Sequence, residues 1–342
     1  MKNGLLVYEP NNDGIFNIGD YIQSLAGAQY FDNNDLIYIN REHLNEYNSD
    51  DIKLIMNGWF MHQPQNWPPS PRIHPLFISF HMNSLAKEEM MNEESIDYFK
   101  KHEPIGCRDY DTASLLKSKG VHAYFSGCLT LTLGKSYKNT LTERKRKGIY
   151  FVDVHHVPRK NFLCTLNMMV LLFKKYNLIS KLSKKNRGTK SIRNLLSFSF
   201  FYASYRKMFS DDVLANAEYI QHEVPDSFNS DEQKFEYSRS LLKKYSEAKY
   251  VVTSRIHCAL PCLGMGTPVL YVENINQAES SYCRLNGLRE LFNIINYDKG
   301  NLASEFIKTK ITSDSTFKNK EVYNELYKKL STTVEEFTKR HF

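Results

Sequence analysis

An arginine and a histidine two positions apart, Arg255 and His257, stand where an apolar run gives way to a helical pattern in VVTSRIHCALPCLGMGTPVLYVE, residues 251–273. The β-branched pair before Thr253 and Ser254 predicts the end of a buried strand. Ser254 suits a helix N-cap, and Ile256, Leu260 and Leu263 follow at helical spacing. Gly264 and Gly266 predict the helix end, Pro268 forbids its continuation, and 269–272 predicts a second buried strand. In such a strand–turn–helix unit the first helical turn lies at the carboxyl edge of a parallel sheet, where backbone N–H groups and the helix dipole attract anions. A guanidinium and a titratable imidazole there suit a phosphorylated or carboxylated substrate. A surface arginine beside a packed histidine satisfies the same letters.

Other residues of the same kind occupy similar places. Arg108 follows a short strand pattern at 105–107, so a second guanidinium stands just past a strand in the other half of the chain. Two such arginines hint at one shared anion. Asn57 and Trp59 end an apolar run at 53–57, and His81 ends another at 77–80; residues just past buried strands are where α/β proteins place ligand contacts. A loop packed by its own aromatic rings is the plainer alternative. Asp20 precedes a helical pattern at 21–30, where it fits an N-cap or a ligand.

The elements that must hold these side chains read as α/β throughout. Strands are predicted at 4–8, 36–39, 53–57, 77–80, 105–107 and 123–125, with helices at 21–30, 93–102 and 112–119 between them. The basic, polar stretch 135–147 is the best boundary, giving an N-terminal domain of 1–145 and a C-terminal domain of 148–342. The second domain opens with a strand at 148–154. It carries a basic helical insertion at about 160–210, a strand at 219–224, a helix at 234–247 and a C-terminal helix at 320–340. No internal repeat is evident.

Composition narrows the function classes. The chain has 342 residues and a formal charge of +7, long enough for two cores and too weakly basic overall to announce nucleic acid. The six cysteines include no CxxC pair, which argues against a disulfide framework or a zinc site, and Cys258 and Cys262 read as small core residues. His155-His156 has no carboxylate at ligand spacing, so no metal is expected. MKNGLLVYEP has no signal-peptide pattern, which predicts a cytoplasmic protein. The longest apolar run, 163–173, falls short of a membrane span.

Three segments in order, NIGDYIQSLA, IGCRDYDTASLLKSKG and VVTSRIHCALPCLGMGTPV, resemble the polysaccharide pyruvyltransferase family. That family has a Gly-Asp loop before the first helix, an Arg-Asp ahead of a short helix, and an Arg-Leu-His triplet before a Gly-x-Pro strand entry. Two departures are visible: Ile256 replaces the usual Leu, and SGCLTLTL follows the strand at 123–125 where many members carry an acidic segment. The resemblance implies two Rossmann-like domains facing a cleft, as in GT-B glycosyltransferases, with 1–145 supplying the acceptor side and part of the donor site. It implies transfer of the pyruvyl group of phosphoenolpyruvate onto a sugar hydroxyl pair as a cyclic ketal, in capsule, exopolysaccharide or cell-wall glycan synthesis in bacteria, without a cofactor. Arg108, Arg255 and His257 map onto the donor-binding residues. Ketal chemistry makes His257 a candidate acid or a phosphate ligand only, and the acceptor's base Asp20, Asp109 or water. Trp59 suits stacking on a sugar. Family acceptors are commonly lipid-linked, and the basic amphipathic stretch 181–207 fits an anionic membrane surface or a solvated insertion, which would make the protein peripheral at the inner face of the plasma membrane. A GT-B-like glycosyltransferase using a nucleotide sugar, or a non-catalytic glycan-binding module on the same fold, are the rival functions.

Overall fold

The computed structural model describes all residues except 12, 32–35, 140, 142–144, 157–161, 188–190, 277–284 and 341–342. The strands among the described residues are β1 Lys2–Val7, β2 Ile15–Asn17, β3 Leu36–Asn40, β4 Ile52–Phe60, β5 Ile73–Met82, β6 Ile105–Cys107, β7 Ala123–Phe125, β8 Ile149–Val152, β9 Glu218–Ile220, β10 Glu223–Pro225, β11 Tyr250–Thr253, β12 Val269–Asn274, β13 Asn293–Asp298 and β14 Asn301–Ala303. They form two six-stranded sheets, ordered β3-β1-β4-β5-β6-β7 and β14-β13-β12-β11-β8-β9, and a small pair, β2 with β10. The first sheet is parallel throughout; the second is parallel except for its edge strand β14. Read by position within each half, both follow the order 2-1-3-4-5-6. A parallel sheet of this order reverses direction between its first and third strands, and ligands settle at the carboxyl ends beside that reversal.

Strand sequence follows burial. The central strands β4 and β11 are almost wholly buried and read as near-continuous apolar runs, as strands covered on both faces must. Two polar residues inside β4 are answered rather than exposed: Lys53 donates to the Thr338 carbonyl at 2.7 Å, and the Asn57 amide to the Gln23 carbonyl at 2.8 Å. The register with β5 shifts between Met56 and Gly58. Such an irregularity re-aims the residues beyond it, here Trp59.

The two halves share an apolar core to which Leu25, Leu131 and Leu133 contribute from one side and Leu260, Cys262 and Leu263 from the other. Helix Ile256–Gly264 lies so close to the 3-10 turn Leu129–Leu133 that a Cβ on Gly264 would stand 1.9 Å from the Leu131 carbonyl oxygen. Glycine is required there by contact, since no side chain fits. Cys258 and Cys262 are buried in this packing, as small core residues.

Several sequence expectations need correction. The first helix spans Ile18–Ala28 with Asn17 as its cap, accepting from the Gly19 N–H at 3.1 Å, so Asp20 sits inside the first turn and is not the cap. Ser254 does not cap helix Ile256–Gly264: its hydroxyl accepts from the His155 N–H (3.1 Å) and donates to the Val272 carbonyl (2.8 Å), tying three strand ends together. The single strand expected at 219–224 is two, because the chain leaves the second sheet after Ile220 and pairs β10 with β2 instead. In the region 160–210, helices Phe162–Lys174, Tyr176–Arg187 and Ile192–Tyr205 are present.

Candidate active site

A cavity of about 430 Å³ opens at the carboxyl ends of strands from both sheets. Glu9 follows β1, Arg41 follows β3, Trp59 and His62 stand at and beyond the end of β4, and Arg108 follows β6. From the other half come His155 beyond β8, His222 beyond β9, and Ser254, Arg255 and His257 beyond β11. Asp20 reaches the cavity from the first turn of helix Ile18–Ala28. Both sheets thus present their reversal points to one space.

The strand pair β2–β10 sets how the halves meet. Asn17, which caps the first helix, lies opposite Glu223 in that pair. Glu223 in turn accepts from Arg255 Nη2 at 2.6 Å, while Asp153 accepts from Arg255 Nε at 2.9 Å and from the His222 N–H at 2.9 Å. Asp153 adopts φ +42°, turning the chain sharply after β8. Arg255 is therefore held in place by two carboxylates that use its Nε and one terminal nitrogen. The guanidinium fork is pre-set, and its charge is partly balanced before any ligand arrives.

His257 faces the first helix across the same seam. A Cβ on Gly19 would lie 3.1 Å from His257 Nδ1 and 3.0 Å from Asn17 Oδ1, so the glycine of the NIGD segment is what lets the imidazole approach. Among the described residues no side chain caps helix Ile256–Gly264. Its amino-terminal end, with Arg255 beside it, keeps the character of an anion site.

Asp20 is the acidic counterpart. Gln23 Nε2 donates to it at 2.9 Å and Arg41 Nη1 lies 4.0 Å away. Burial pushes its carboxyl above the ordinary range; the charges of Arg41, Arg108 and His62 and the Gln23 hydrogen bond oppose this without cancelling it. Arg41 is itself rigid: its guanidinium packs over the rings of Tyr8 and Trp59, each 4.9 Å away, and pairs with buried Glu42 at 2.7 Å. Glu42 also accepts from the backbone N–H groups of His62 and Gln63, both at 2.8 Å. Arg108 is buried, with Nη1 3.5 Å from Gln23 Oε1.

Two histidines on the far wall are kept neutral. Burial, helped by the Arg255 charge, pushes His222 down to about 3, and its Nε2 pairs with the Tyr245 hydroxyl at 2.8 Å. His155 is pushed down to about 4 by burial, with Arg255 and His156 adding to the effect. Neutral imidazoles beside a cationic cluster can accept or donate hydrogen bonds without adding charge.

The structure brings Asp20, Trp59, Arg108, Ser254, Arg255 and His257 to the cavity, and it does not bring Asn57 or His81. Asn57 is spent on the Gln23 carbonyl. His81 is buried behind the site, its Nδ1 2.5 Å from Asp109 Oδ2. Asp109 caps helix Tyr110–Ser118 through the Thr112 N–H at 2.8 Å. Burial would raise the Asp109 carboxyl, but the His81 hydrogen bond and the His81 and Arg108 charges hold it below the ordinary range. His81 and Asp109 thus brace the strand end that carries Arg108, and Asp109 is excluded as an acceptor base by being buried and engaged. Among the described residues, no group of three or more His, Cys, Asp or Glu side chains is placed to hold a metal ion.

Sequence reasoning missed Arg41, His62, His222, Glu223 and Asp153. Arg41 had a legible signal, since it follows its strand just as Arg108 and Arg255 follow theirs. Glu223 and His222 had none, because they were read as part of one continuous strand.

The family model for polysaccharide pyruvyl transferase matches residues 17–276. The chain belongs to the polysaccharide pyruvyl transferase family. The matched span begins at Asn17, the cap of the first helix, and ends just beyond β12, so it contains all three motifs of this transferase. Membership makes the protein a pyruvyl transferase of polysaccharide biosynthesis with a sugar or polysaccharide acceptor. No individual curated protein matches the transferase at a significant level.

Proposed function

We propose that the transferase takes its pyruvyl group from phosphoenolpyruvate and sets it as a cyclic ketal across two hydroxyls of a sugar, releasing phosphate. The observation that carries this proposal is the convergence of Asp20, Arg108, Arg255 and His257, from three separate motifs, on one cavity. Phosphoenolpyruvate bears a carboxylate and a phosphate on one small frame, and a site for it needs at least two cations held in fixed geometry. Arg108 and Arg255 supply them from opposite halves, with Arg41 as a third and the uncapped end of helix Ile256–Gly264 adding its dipole.

The reaction needs one proton on the terminal vinyl carbon, which becomes the methyl group, and leaves a cation-like centre at the neighbouring carbon. One sugar hydroxyl attacks that centre; the second then displaces phosphate. Of the two hydroxyl protons, one balances the proton given to carbon and the other leaves with phosphate. His257 is the acid of this scheme. Asp20, whose raised carboxyl is a stronger base than an exposed aspartate once ionised, takes the hydroxyl proton. Trp59, which lines the cavity, stacks on the acceptor sugar. In this proposal residues 1–145 and 148–342 are two Rossmann-like halves facing a cleft in the GT-B manner.

The test is the reaction itself, run in deuterium oxide with phosphoenolpyruvate and a panel of lipid-linked and free glycans. The expected product carries a ketal methyl group with one solvent deuterium, and phosphate appears in equal amount. Phosphate release with no deuterium in the methyl group would overturn the assigned protonation step.

A further inference from the structure

We propose that helix Phe162–Lys174 is a membrane-surface anchor that seats this protein on an anionic lipid bilayer. This goes beyond the donor chemistry and does not depend on it. The helix has thirteen residues, FLCTLNMMVLLFK, none of them buried. Phe162, Leu163, Leu166, Met169, Val170 and Phe173 are between 48% and 88% exposed. An apolar face of this size in contact with water is costly, and it is a mark of an interaction surface.

The contrast with its neighbour is instructive. Helix Ile192–Tyr205, within the stretch expected to lie on a membrane, sends Leu195, Phe198, Phe201 and Tyr202 into the protein core. Its apolar face is already used. The face left over belongs to Phe162–Lys174, which packs against the rest of the insertion through side chains such as Leu171 and Leu172.

Length decides how a bilayer would be met. Thirteen residues of helix extend about 20 Å, short of the roughly 30 Å hydrocarbon layer. Among the described residues no single helix is long and apolar enough to cross a membrane, and the following helix turns away by 99°. The geometry is that of a helix lying in the interface.

Charge selects the partner. From 159 to 207 the chain has twelve lysines and arginines and no aspartate or glutamate. Lys174 closes the helix, and Lys181 and Lys184 are exposed on the next one. A second copy of this chain docking face to face would bring two such segments together with no carboxylate from either. An anionic headgroup layer complements both the apolar face and its basic surround. In sequence, Phe162 follows His155, a cavity-lining residue, by seven positions.

The experiment is flotation of the full chain with vesicles of phosphatidylcholine alone and of phosphatidylcholine mixed with phosphatidylglycerol. The wild type is expected to float with the anionic vesicles and to detach at high salt. The double variant Leu163→Glu/Phe173→Glu should reduce flotation by at least about tenfold, while Leu85→Glu, at a residue 90% exposed elsewhere, leaves it unchanged. Melting temperature checks that both variants fold. Failure of the wild type to float with either vesicle, or flotation indifferent to the double variant, overturns the proposal. A dimer in solution that the double variant dissolves, without flotation, would assign the face to a second copy instead.

Discussion

In the proposed mechanism His257 and Asp20 divide the chemistry between an imidazole set against Gly19 and a carboxyl whose ionisation is resisted by burial. Replacing His257 with Gln keeps hydrogen bonding but removes the proton. Turnover should fall by about 10²-fold or more while phosphoenolpyruvate affinity stays within a few-fold; loss of both in single-turnover and binding measurements would make His257 a phosphate ligand only. Asp20 carries a sign that can be read by melting. Its folded carboxyl binds a proton more tightly than the unfolded one, so the native state loses stability as pH rises through that folded value. Asp20→Asn should therefore melt above the wild type, by a margin that is small at pH 4 and larger at pH 8. His222 runs the other way. Held neutral down to about 3 against an ordinary 6.5, it leaves the unfolded state to take up the proton that the native state refuses, so stability is full above 6.5 and is lost as pH falls toward 3. The slope from this one buried group is about 1.4 kcal/mol per pH unit within that window. Urea unfolding of His222→Gln at pH 5 and 7 should show a correspondingly flatter dependence.

At the scale of elements, the site depends on close approaches that only particular residues permit. Gly264→Ala drives a Cβ onto the Leu131 carbonyl oxygen and should cost about 1–3 kcal/mol of stability, measured by denaturant unfolding. Gly19→Ala presses on His257 and Asn17 at 3.1 and 3.0 Å, where small shifts suffice, so activity should fall more than stability. How far these elements were legible follows from what each depends on. β6, β7 and helix Ile256–Gly264 came directly from local pattern: short apolar runs, a proline stop and glycine ends. Arg108, Arg255 and His257 were found because residues just past a strand in an α/β chain have a place assigned by topology. The cap at Asn17 was misassigned to Asp20 by three residues because either type suits a helix start. Glu223 was invisible because its role depends on β10 leaving one sheet to pair with β2, a contact about two hundred residues away. His81 and Asn57 were misplaced because a polar residue at a strand end faces either the ligand or a polar neighbour behind it, and only packing decides.

Over the whole molecule, a cavity built from both sheets requires that the halves hold a fixed relation, and the shared core supplies it. Leu129, Leu131 and Leu133 are fully buried, against a helix that arrives more than one hundred residues later. A fragment of residues 1–147 would expose them to water and should aggregate or bind a hydrophobic dye, whereas an independent N-terminal domain would stay monomeric and melt cooperatively. The sequence boundary at 135–147 is thus proposed as a change of sheet within one cooperative unit. The same fixed relation brings Arg108 and Arg255 to one cavity, and the proposal that they hold one ligand is where the account is most exposed. Calorimetric titration of phosphoenolpyruvate into the wild type, Arg108→Lys and Arg255→Lys tests it, each variant keeping the charge and losing the planar fork. The account predicts binding to the wild type and a loss of at least about tenfold in affinity in either variant. A folded wild type that takes up a nucleotide diphosphate in place of phosphoenolpyruvate, or phosphoenolpyruvate binding that both variants leave intact, would contradict it.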